Sequence, residues 1–398
     1  MGGKLRMYNV EFGDAFLLYG EGENLLVDLG SIDKYLDFDP IRDSIRNEAS
    51  EGSLSLLLTH FHKDHWSGLH NQTAGHCLPP LKMIYLPDIF KMRVQRELDV
   101  LVRSLLGEFL EAVVLEQRPH FSLADLLREV LPGMPKERIH FLARGDVFHV
   151  GGKRYEVLWP RLNYEDIVGK RNGALYNFIE RMERKLHADG AQYRLLDTLD
   201  MMATALLRDF AISQDIPFNN AMWDELQSYE TINLHAQQLA DILIADLQFD
   251  DGEFLKKMRH YADKLCKDWN QISLVFHEVD DNSVLMTGDV SASTLKKLVN
   301  GDFGFPSLKE KYTVIKAPHH GTESHFCATL PFSRFFCISN GEGNRHYKKI
   351  TDQYEHVYGC RGKQSEIRCT NPRCDFLKRF DCPYFDVYPV QLFYDICW

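Results

Sequence analysis

The segment from His60 to His65 places three imidazoles and one carboxylate within six residues. Such nitrogen and oxygen donors bind borderline divalent metals, zinc and manganese among them. Neighbouring side chains on one turn point in different directions, so the set fits two adjacent ions better than one. We expect His60 and His62 to hold the first ion, and Asp64 and His65 the second. The chemistry predicted from these residues is metal-dependent hydrolysis.

Two later segments supply the donors that complete a dinuclear site. Asp289 follows the apolar run 283–287 and is predicted to bridge the two ions. His320 follows another apolar run and is predicted to be the terminal ligand of the second ion, with His319 facing the substrate or supporting a ligand. Two cations held together would lower the pKa of a shared water toward neutrality and polarise a phosphoryl or carbonyl oxygen.

Strands must end where these donors begin. The apolar run 54–58 predicts a strand immediately before the histidine segment, and alternating apolar runs and turns predict hairpin strands in the first 30 residues. Asp28 lies at the end of one of them, where it either hydrogen-bonds a ligand histidine or caps a turn. Residues 90–130 have helical periodicity, and the Gly-poor, charged stretch 162–268 predicts a helical insertion of about 100 residues.

The Asp28-to-Gly30 opening, the histidine segment, Thr287-Gly288-Asp289 and the late His320 together resemble the metallo-β-lactamase superfamily. This resemblance implies an α/β fold, a four-layer αβ/βα sandwich with the metals at the sheet edges. The chain would divide into four segments: the first half of the metallo-β-lactamase domain (1–161), the helical insertion (162–268), the second half of that domain (269–350) and a Cys-containing basic C-terminal extension (351–398).

A narrower resemblance rests on four segments, namely Gly13-Asp14-Ala15, residues 270–275, residues 316–321 and residues 339–344. These are similar to the cytoplasmic hydrolase domain of the competence DNA-uptake channel ComEC, a family associated with degrading a DNA strand. Many superfamily members have another metal-binding histidine before the bridging aspartate, but this chain and the ComEC pattern lack it. His277 lies inside a predicted strand, so we interpret it as structural. Thr322 stands where the ComEC pattern has serine.

Charged residues are unevenly distributed along the chain. Its formal net charge of −11 disfavours a protein that coats duplex nucleic acid, because neutralising phosphates requires a basic surface. Residues 345–379, however, carry an excess of basic over acidic side chains. Arg345, Lys348 and Lys349 either meet substrate phosphates or form an ordinary solvated surface.

Cysteine usage indicates a reducing compartment, because the chain has nine cysteines, an odd number unsuited to a disulfide framework. With no apolar stretch long enough to span a bilayer and no signal peptide, we expect a cytoplasmic protein without membrane partners. Four late cysteines either bind an additional structural zinc or remain reduced thiols: Cys360, Cys369, Cys374 and Cys382.

Three functions remain open at this level. The leading hypothesis is a phosphodiesterase or nuclease acting on nucleic acid, in which Asp64 orients the attacking water and His319 or Asn270 lies near the scissile group. A rival is a small-molecule hydrolase of esters, lactones or phosphoesters on the same metal site. The third is a regulated effector subunit of a bacterial defence or DNA-processing system, with the 162–268 insertion binding a protein partner.

Overall fold

The computed structural model describes residues 3–49, 52–70, 72–92, 99–131, 136–161, 173–213, 227–247, 252–281, 283–302, 308–341, 353–354, 356–359, 362–363, 365–370 and 392–398. The protein is of mixed α/β type with two mixed sheets, so the predicted α/β class is confirmed. In the described part of the chain, no helix is both long and apolar enough to cross a membrane.

Within the described residues, the first sheet has seven strands, numbered here in chain order: β1 (Lys4–Tyr8), β2 (Phe16–Leu18), β3 (Glu23–Val27), β4 (Ser53–Leu57), β5 (Leu81–Pro87), β6 (Ile139–Leu142) and β14 (Phe393–Cys397). Their spatial order is β14-β1-β2-β3-β4-β5-β6. Strands β3 to β6 run parallel, whereas β14, β1, β2 and β3 alternate in direction. Because parallel strands end at one edge, the residues after β3 and β4 meet there.

The described part of the second sheet also has seven strands: β7 (Val147–Val150), β8 (Lys153–Trp159), β9 (Val275–Glu278), β10 (Val284–Met286), β11 (Lys311–Lys316), β12 (Phe332–Ile338) and β13 (Glu366–Cys369). Their order is β13-β12-β11-β10-β9-β8-β7, with β10 to β13 parallel and β7 to β10 antiparallel. The parallel strands β10 and β11 end just before the predicted donors Asp289 and His320.

One hydrophobic cluster draws side chains from both sheets. It includes Leu5, Phe16, Val27 and Leu57 from the first sheet, and Val157, Phe276, Met286, Val314 and Phe335 from the second. Burying each such side chain contributes about 1.5–3 kcal/mol, so the two sheets stabilise each other through a shared core. The two sheet edges that carry the donors therefore belong to one packed unit.

The chain divides into two compact units. The sheet unit comprises Met1–Pro87, Arg138–Pro160 and Asn270–Trp398, and the helical unit comprises Asp88–Glu137 and Arg161–Trp269. The sequence-based division placed 88–137 with the sheets, whereas the structure groups it with the helices. The physical reason is that helix Val100–Val114 packs closely on helix Glu253–Cys266: a Cβ on Gly107 would lie 2.7 Å from the backbone nitrogen of Cys266.

Helices of the sheet unit are Asp39–Glu48, Lys63–Trp66 and Ala292–Asn300, with short 3-10 turns at Ser67–Leu69, Pro318–Gly321 and Glu323–His325. Those of the helical unit are Ile89–Met92, Val100–Val114, Ser122–Asp125, a π turn Leu126–Val130, Gly173–Ala188, Leu195–Ser213, Tyr229–Leu247 and Glu253–Cys266. Two further 3-10 turns span Lys136–Arg138 and Lys267–Ile272.

The C-terminal residues contribute to both sheets. Strand β14 pairs with β1 and strand β13 pairs with β12, each as the outermost described strand of its sheet. Two parts of residues 351–398, which the sequence suggested were a C-terminal extension, are thus strands of the two sheets.

Candidate metal centre

The loop after β4 delivers the first donors. Strand β4 is buried and parallel to β3, and the chain leaves it through Thr59 and His60. His62 has an extended conformation (φ −70°, ψ 148°) and precedes the short helix that carries Asp64 and His65. His60 Nε2 lies 2.9 Å from His62 Nδ1, so this imidazole pair faces a common point.

Donor atoms form two adjoining groups. In the first group, the ligand atoms lie within 4.8 Å of one another and belong to four buried residues: Asp14, His65, Asp289 and His320. The second group meets the same 4.8 Å limit and consists of His60, His62 and Asp64. Asp64 joins the two, because its Oδ2 lies 3.2 Å from His320 Nε2 and its Oδ1 lies 3.9 Å from His65 Nε2.

Asp289 is the central carboxylate. Its Oδ2 lies 3.2 Å from His65 Nε2, 3.4 Å from His320 Nε2 and 3.8 Å from His319 Nε2. Gly288 precedes it with φ +50°, and the Ser273 hydroxyl accepts a 3.1 Å hydrogen bond from the Asp289 amide. A Cβ on Gly288 would lie 2.7 Å from that of Ser273, so this turn requires glycine.

His319 and His320 lie in a left-handed turn after β11, with φ of +47° and +53°. Non-glycine residues in this region cost of order 1–3 kcal/mol each, so other contacts must hold the turn. The side-chain amide of Asn340 donates a 2.9 Å hydrogen bond to the backbone carbonyl of His320. The backbone amide of His319 donates a 3.1 Å hydrogen bond to the carbonyl of Gly288. The turn therefore directs both imidazoles toward Asp289.

Two buried carboxylates lie within hydrogen-bond distance of the Nδ1 atoms of predicted ligand histidines. Asp28 Oδ2 lies 2.8 Å from His65 Nδ1, and its other oxygen accepts a 2.7 Å bond from the Thr59 amide. Asp14 Oδ1 lies 3.2 Å from His320 Nδ1. In each case the Nδ1 atom is occupied, so the Nε2 atom is left facing the centre of the site.

Burial and neighbouring charges set the pKa values of the site. Burial alone would raise the pKa of Asp289, but His320, Lys316 and His65 outweigh it and hold that pKa well below its usual range. Burial would likewise lower the pKa of His320, yet Asp14 and Asp289 raise it to about 9. His319, for which burial dominates, has a pKa lowered to about 3 and is neutral at pH 7.

The donor set fits divalent cations. Four imidazoles and two carboxylates converge at the strand ends: His60, His62, His65, His320, Asp64 and Asp289. Imidazole suits zinc and iron, carboxylate suits manganese, and the mixture selects no single one of them. Acidic groups with depressed pKa values beside imidazoles are the deprotonated donors that cation binding needs.

No protein-family model and no curated protein sequence matches the chain. A metallo-β-lactamase family protein from Thermus thermophilus is similar in structure at 18% identity and TM-score 0.23, over 62% of this chain and 94% of that one. A flavo di-iron protein mutant from Thermotoga maritima is similar at 12% identity and TM-score 0.22, over 82% and 77%.

A third similar structure is a protein of unknown function from Enterococcus faecalis, at 15% identity and TM-score 0.22, over 39% of this chain. The chain spans only 37% of that protein's length. Structural neighbours thus include metallo-β-lactamase-fold proteins, but at TM-scores this low the chemistry of the present site rests on its own residues.

The structure brings together all six predicted ligands, with His319 beside them. Asn270 is buried near this region: its carbonyl accepts a 3.3 Å hydrogen bond from the amide of Ser273, the residue that holds Asp289. Neither amide atom of the Asn270 side chain has a hydrogen-bond partner within the described residues. His277 bonds Tyr312 at 2.7 Å and Glu156 at 3.4 Å, which agrees with the structural interpretation.

Other predicted residues are not placed. Arg345, Lys348 and Lys349 lie outside the described residues, as do Cys360, Cys374 and Cys382. Cys369 is the last residue of β13.

Sequence reasoning missed two members of the site, Asp14 and Lys316. Asp14 is too distant along the chain to be placed by spacing alone, and Lys316 stands out in the sequence only as the first residue of the segment 316–321. The signal available for Lys316 was a lysine directly after the apolar pair Val314-Ile315, at the buried end of a strand, where an unpaired ammonium is costly.

Proposed function

We propose that this chain is a dinuclear metal-dependent hydrolase of the metallo-β-lactamase fold that cleaves phosphodiester bonds in nucleic acid. The observation that carries the proposal is the convergence of six donors at adjoining sheet edges, with four imidazoles around the carboxylates of Asp289 and Asp64. The two mixed sheets with a shared core support the αβ/βα sandwich.

His60 and His62 would hold one ion, Asp64, His65 and His320 the other, with Asp289 between them. Divalent cations bound there supply Lewis acidity, lowering the pKa of water and polarising a phosphoryl oxygen. The protein itself orients the ligands: Asp28 holds His65, and Asp14 holds His320.

Other side chains would act on the substrate. Asp64 is partly exposed, with 14% of its side chain accessible, so it can accept a hydrogen bond from the attacking water and orient it. His319, neutral at pH 7 and held by the Thr322 hydroxyl through Nδ1, can donate a hydrogen bond from Nε2 to a phosphoryl oxygen. The buried side-chain amide of Asn270, which has no hydrogen-bond partner among the described residues, is a further candidate for this role.

The choice of a ComEC-like nuclease over other hydrolases rests on three of the sequence segments that carry this resemblance. They meet around His320: Asp14 contacts its imidazole, Asn340 holds its carbonyl, and the Ser339 hydroxyl donates to the carbonyl of Gly13. This shared arrangement supports the resemblance because the matched residues act together and are not scattered over the surface.

One observation favours a small-molecule substrate instead. The net charge of −11 repels polyanions unless a basic surface compensates locally. An ester, lactone or small phosphoester hydrolase on the same donor set is therefore the second candidate. A regulated effector subunit that binds a protein partner through the 162–268 insertion is a third candidate, and measurement of particle size alone and with candidate partners would test it.

The deciding experiment is cleavage of labelled single- and double-stranded DNA and RNA by metal-stripped protein reloaded with zinc or manganese. Asp289→Asn keeps the side-chain shape and should abolish cutting, whereas Asp33→Asn makes the same change in a loop residue outside the donor groups. Metal-dependent cutting that only Asp289→Asn loses supports the nuclease. Hydrolysis of lactone, thioester or p-nitrophenyl phosphate substrates without nucleic-acid cutting would favour the small-molecule enzyme.

A further inference from the structure

Lys316 is a buried cation inside the candidate metal centre. It ends strand β11, and only 2% of its side chain is exposed. Its ammonium contacts Asp14 Oδ2, lies 3.2 Å from Asp289 Oδ1 and donates a 3.1 Å hydrogen bond to the carbonyl of Gly288. Three oxygens therefore surround the ammonium: two accept hydrogen bonds from it, and the third, on Asp14, is an ion-pair partner.

In each of two aspartates, Asp14 and Asp289, one carboxylate oxygen contacts Lys316 and the other faces histidine. In Asp14, Oδ2 contacts Lys316 and Oδ1 lies 3.2 Å from His320 Nδ1. In Asp289, Oδ1 faces Lys316, whereas Oδ2 faces the Nε2 atoms of His65 and His320. Of the oxygens of these two carboxylates, Asp289 Oδ2 is thus the one directed at the Nε2 atoms that face the centre of the site.

We infer that Lys316 is a positioning residue, which keeps Asp14 out of the metal's ligand set and limits Asp289 to a single ligating oxygen. The inference rests on the proposed metal binding and specifies how the chain controls it. Without the ammonium, the buried carboxylates of Asp14 and Asp289 would keep only part of their compensating charge, that of the neighbouring imidazoles, beside a cation site. Both would then be drawn to the cation, which would gain oxygen ligands and lose the open position needed for a substrate.

Charge gives the direction of the expected effect. Lys316→Met removes a positive charge that touches a ligand, so it should strengthen cation binding while lowering kcat. If Lys316 made only a structural contact, the same substitution would weaken cation binding and lower kcat. The difference in melting temperature between metal-loaded and metal-free protein should also increase, because the metal-free variant carries the unpaired carboxylates.

Cobalt(II) is the probe, because its visible absorption is intense in four-coordinate sites and weak in six-coordinate ones. Wild-type protein, Lys316→Met and Lys311→Met are titrated with Co²⁺, with affinity measured by chelator competition. Lys311 is an exposed lysine at the start of the same strand, so Lys311→Met is the matched control. We expect tighter binding and a loss of absorption intensity in Lys316→Met alone.

The double variant Asp14→Asn, Lys316→Met removes both members of the pair and keeps their combined charge unchanged. It should move the spectrum back toward that of wild type, because Asp14 can no longer add a carboxylate to the cation while Asp289 stays unrestrained, and it serves as the test if Lys316→Met does not fold. Unchanged affinity and spectrum in Lys316→Met, or weaker binding with an unchanged spectrum, would overturn the inference. So would a double variant that keeps the spectrum of Lys316→Met. If wild-type protein binds no Co²⁺, the proposed metal-dependent function is wrong. This result is distinguishable from failure of the Lys316 inference, in which wild-type protein does bind Co²⁺.

Discussion

Asp28 and His65 are 37 residues apart in the chain, yet the Asp28 Oδ2 atom lies 2.8 Å from the His65 Nδ1 atom. Two parallel strands bring them together, since Asp28 follows β3 and His65 follows β4. The Thr59 hydroxyl donates a further 2.7 Å hydrogen bond to the same Asp28 oxygen. This fixed carboxylate holds the imidazole so that its Nε2 atom faces Asp289.

Asp28→Asn should therefore weaken zinc or manganese binding by about 10–100-fold, the usual effect of losing a partner that orients a ligand histidine. Asparagine tolerates the left-handed backbone of residue 28, which has φ +58°, so the chain should still fold. Chelator competition measures the affinity. Asp33→Asn is the control, and equal affinities in both variants would remove Asp28 from this role.

The histidine segment and the strand-end donors could be predicted because the pattern is local. Four donors within six residues, and two more directly after apolar strands, require no knowledge of the distant chain. Asp14 and Lys316 could not be placed, because their contact depends on the packing of one sheet on the other. The same limit applies to β14, whose pairing with β1 joins opposite ends of the sequence.

Gly30 is a place where the backbone itself limits the site. A Cβ there would lie 2.5 Å from the backbone nitrogens of His65 and Trp66, a distance that requires the loop to move. Gly30→Ala should displace the ligand loop, with a cost of about 1–3 kcal/mol typical of overpacking, and should reduce metal affinity.

Gly173→Ala is the matched control, because a Cβ at Gly173 meets nothing within 4 Å and the residue begins a helix. Alanine there should leave stability unchanged or raise it slightly. Thermal unfolding and metal titration of both variants provide the comparison. If Gly30→Ala melts and binds metal like wild type, the close approach does not constrain the loop.

Metal removal should destabilise the sheet unit. Without a cation, the partly exposed Asp64 and the buried Asp289 carboxylates are balanced by neighbouring imidazoles and Lys316. A ligand at 100 times its dissociation constant stabilises the folded state by about 2.7 kcal/mol, so zinc or manganese should raise the melting temperature of stripped protein. His320→Ala should abolish most of this rise, and a variant that keeps the full rise would place the bound ion elsewhere.

The last prediction concerns stability and pH away from the metal centre. Arg6 on β1 and Asp395 on β14 form a double hydrogen bond of 2.6 and 2.8 Å, and the Arg6 guanidinium packs 3.5 Å from the centre of the Phe393 ring. Burial acts to raise the pKa of Asp395, but Arg6 outweighs it and lowers that pKa below its usual value. Breaking this pair should cost about 1.5–3 kcal/mol, as for hydrogen bonds to charged groups.

The sign of the pH dependence follows from the lowered pKa. The pair contributes fully above the unfolded carboxyl pKa of about 3.9 and is lost as the pH falls through the lower folded value. Asp395→Asn should therefore melt below wild type at pH 7, and the gap should narrow below about pH 4. Asp280→Asn, which breaks the exposed Arg154–Asp280 pair, should change stability by no more than about 1 kcal/mol. A gap for Asp395→Asn that stays constant down to pH 3 would show that shape, and not charge, holds β14 to the sheet.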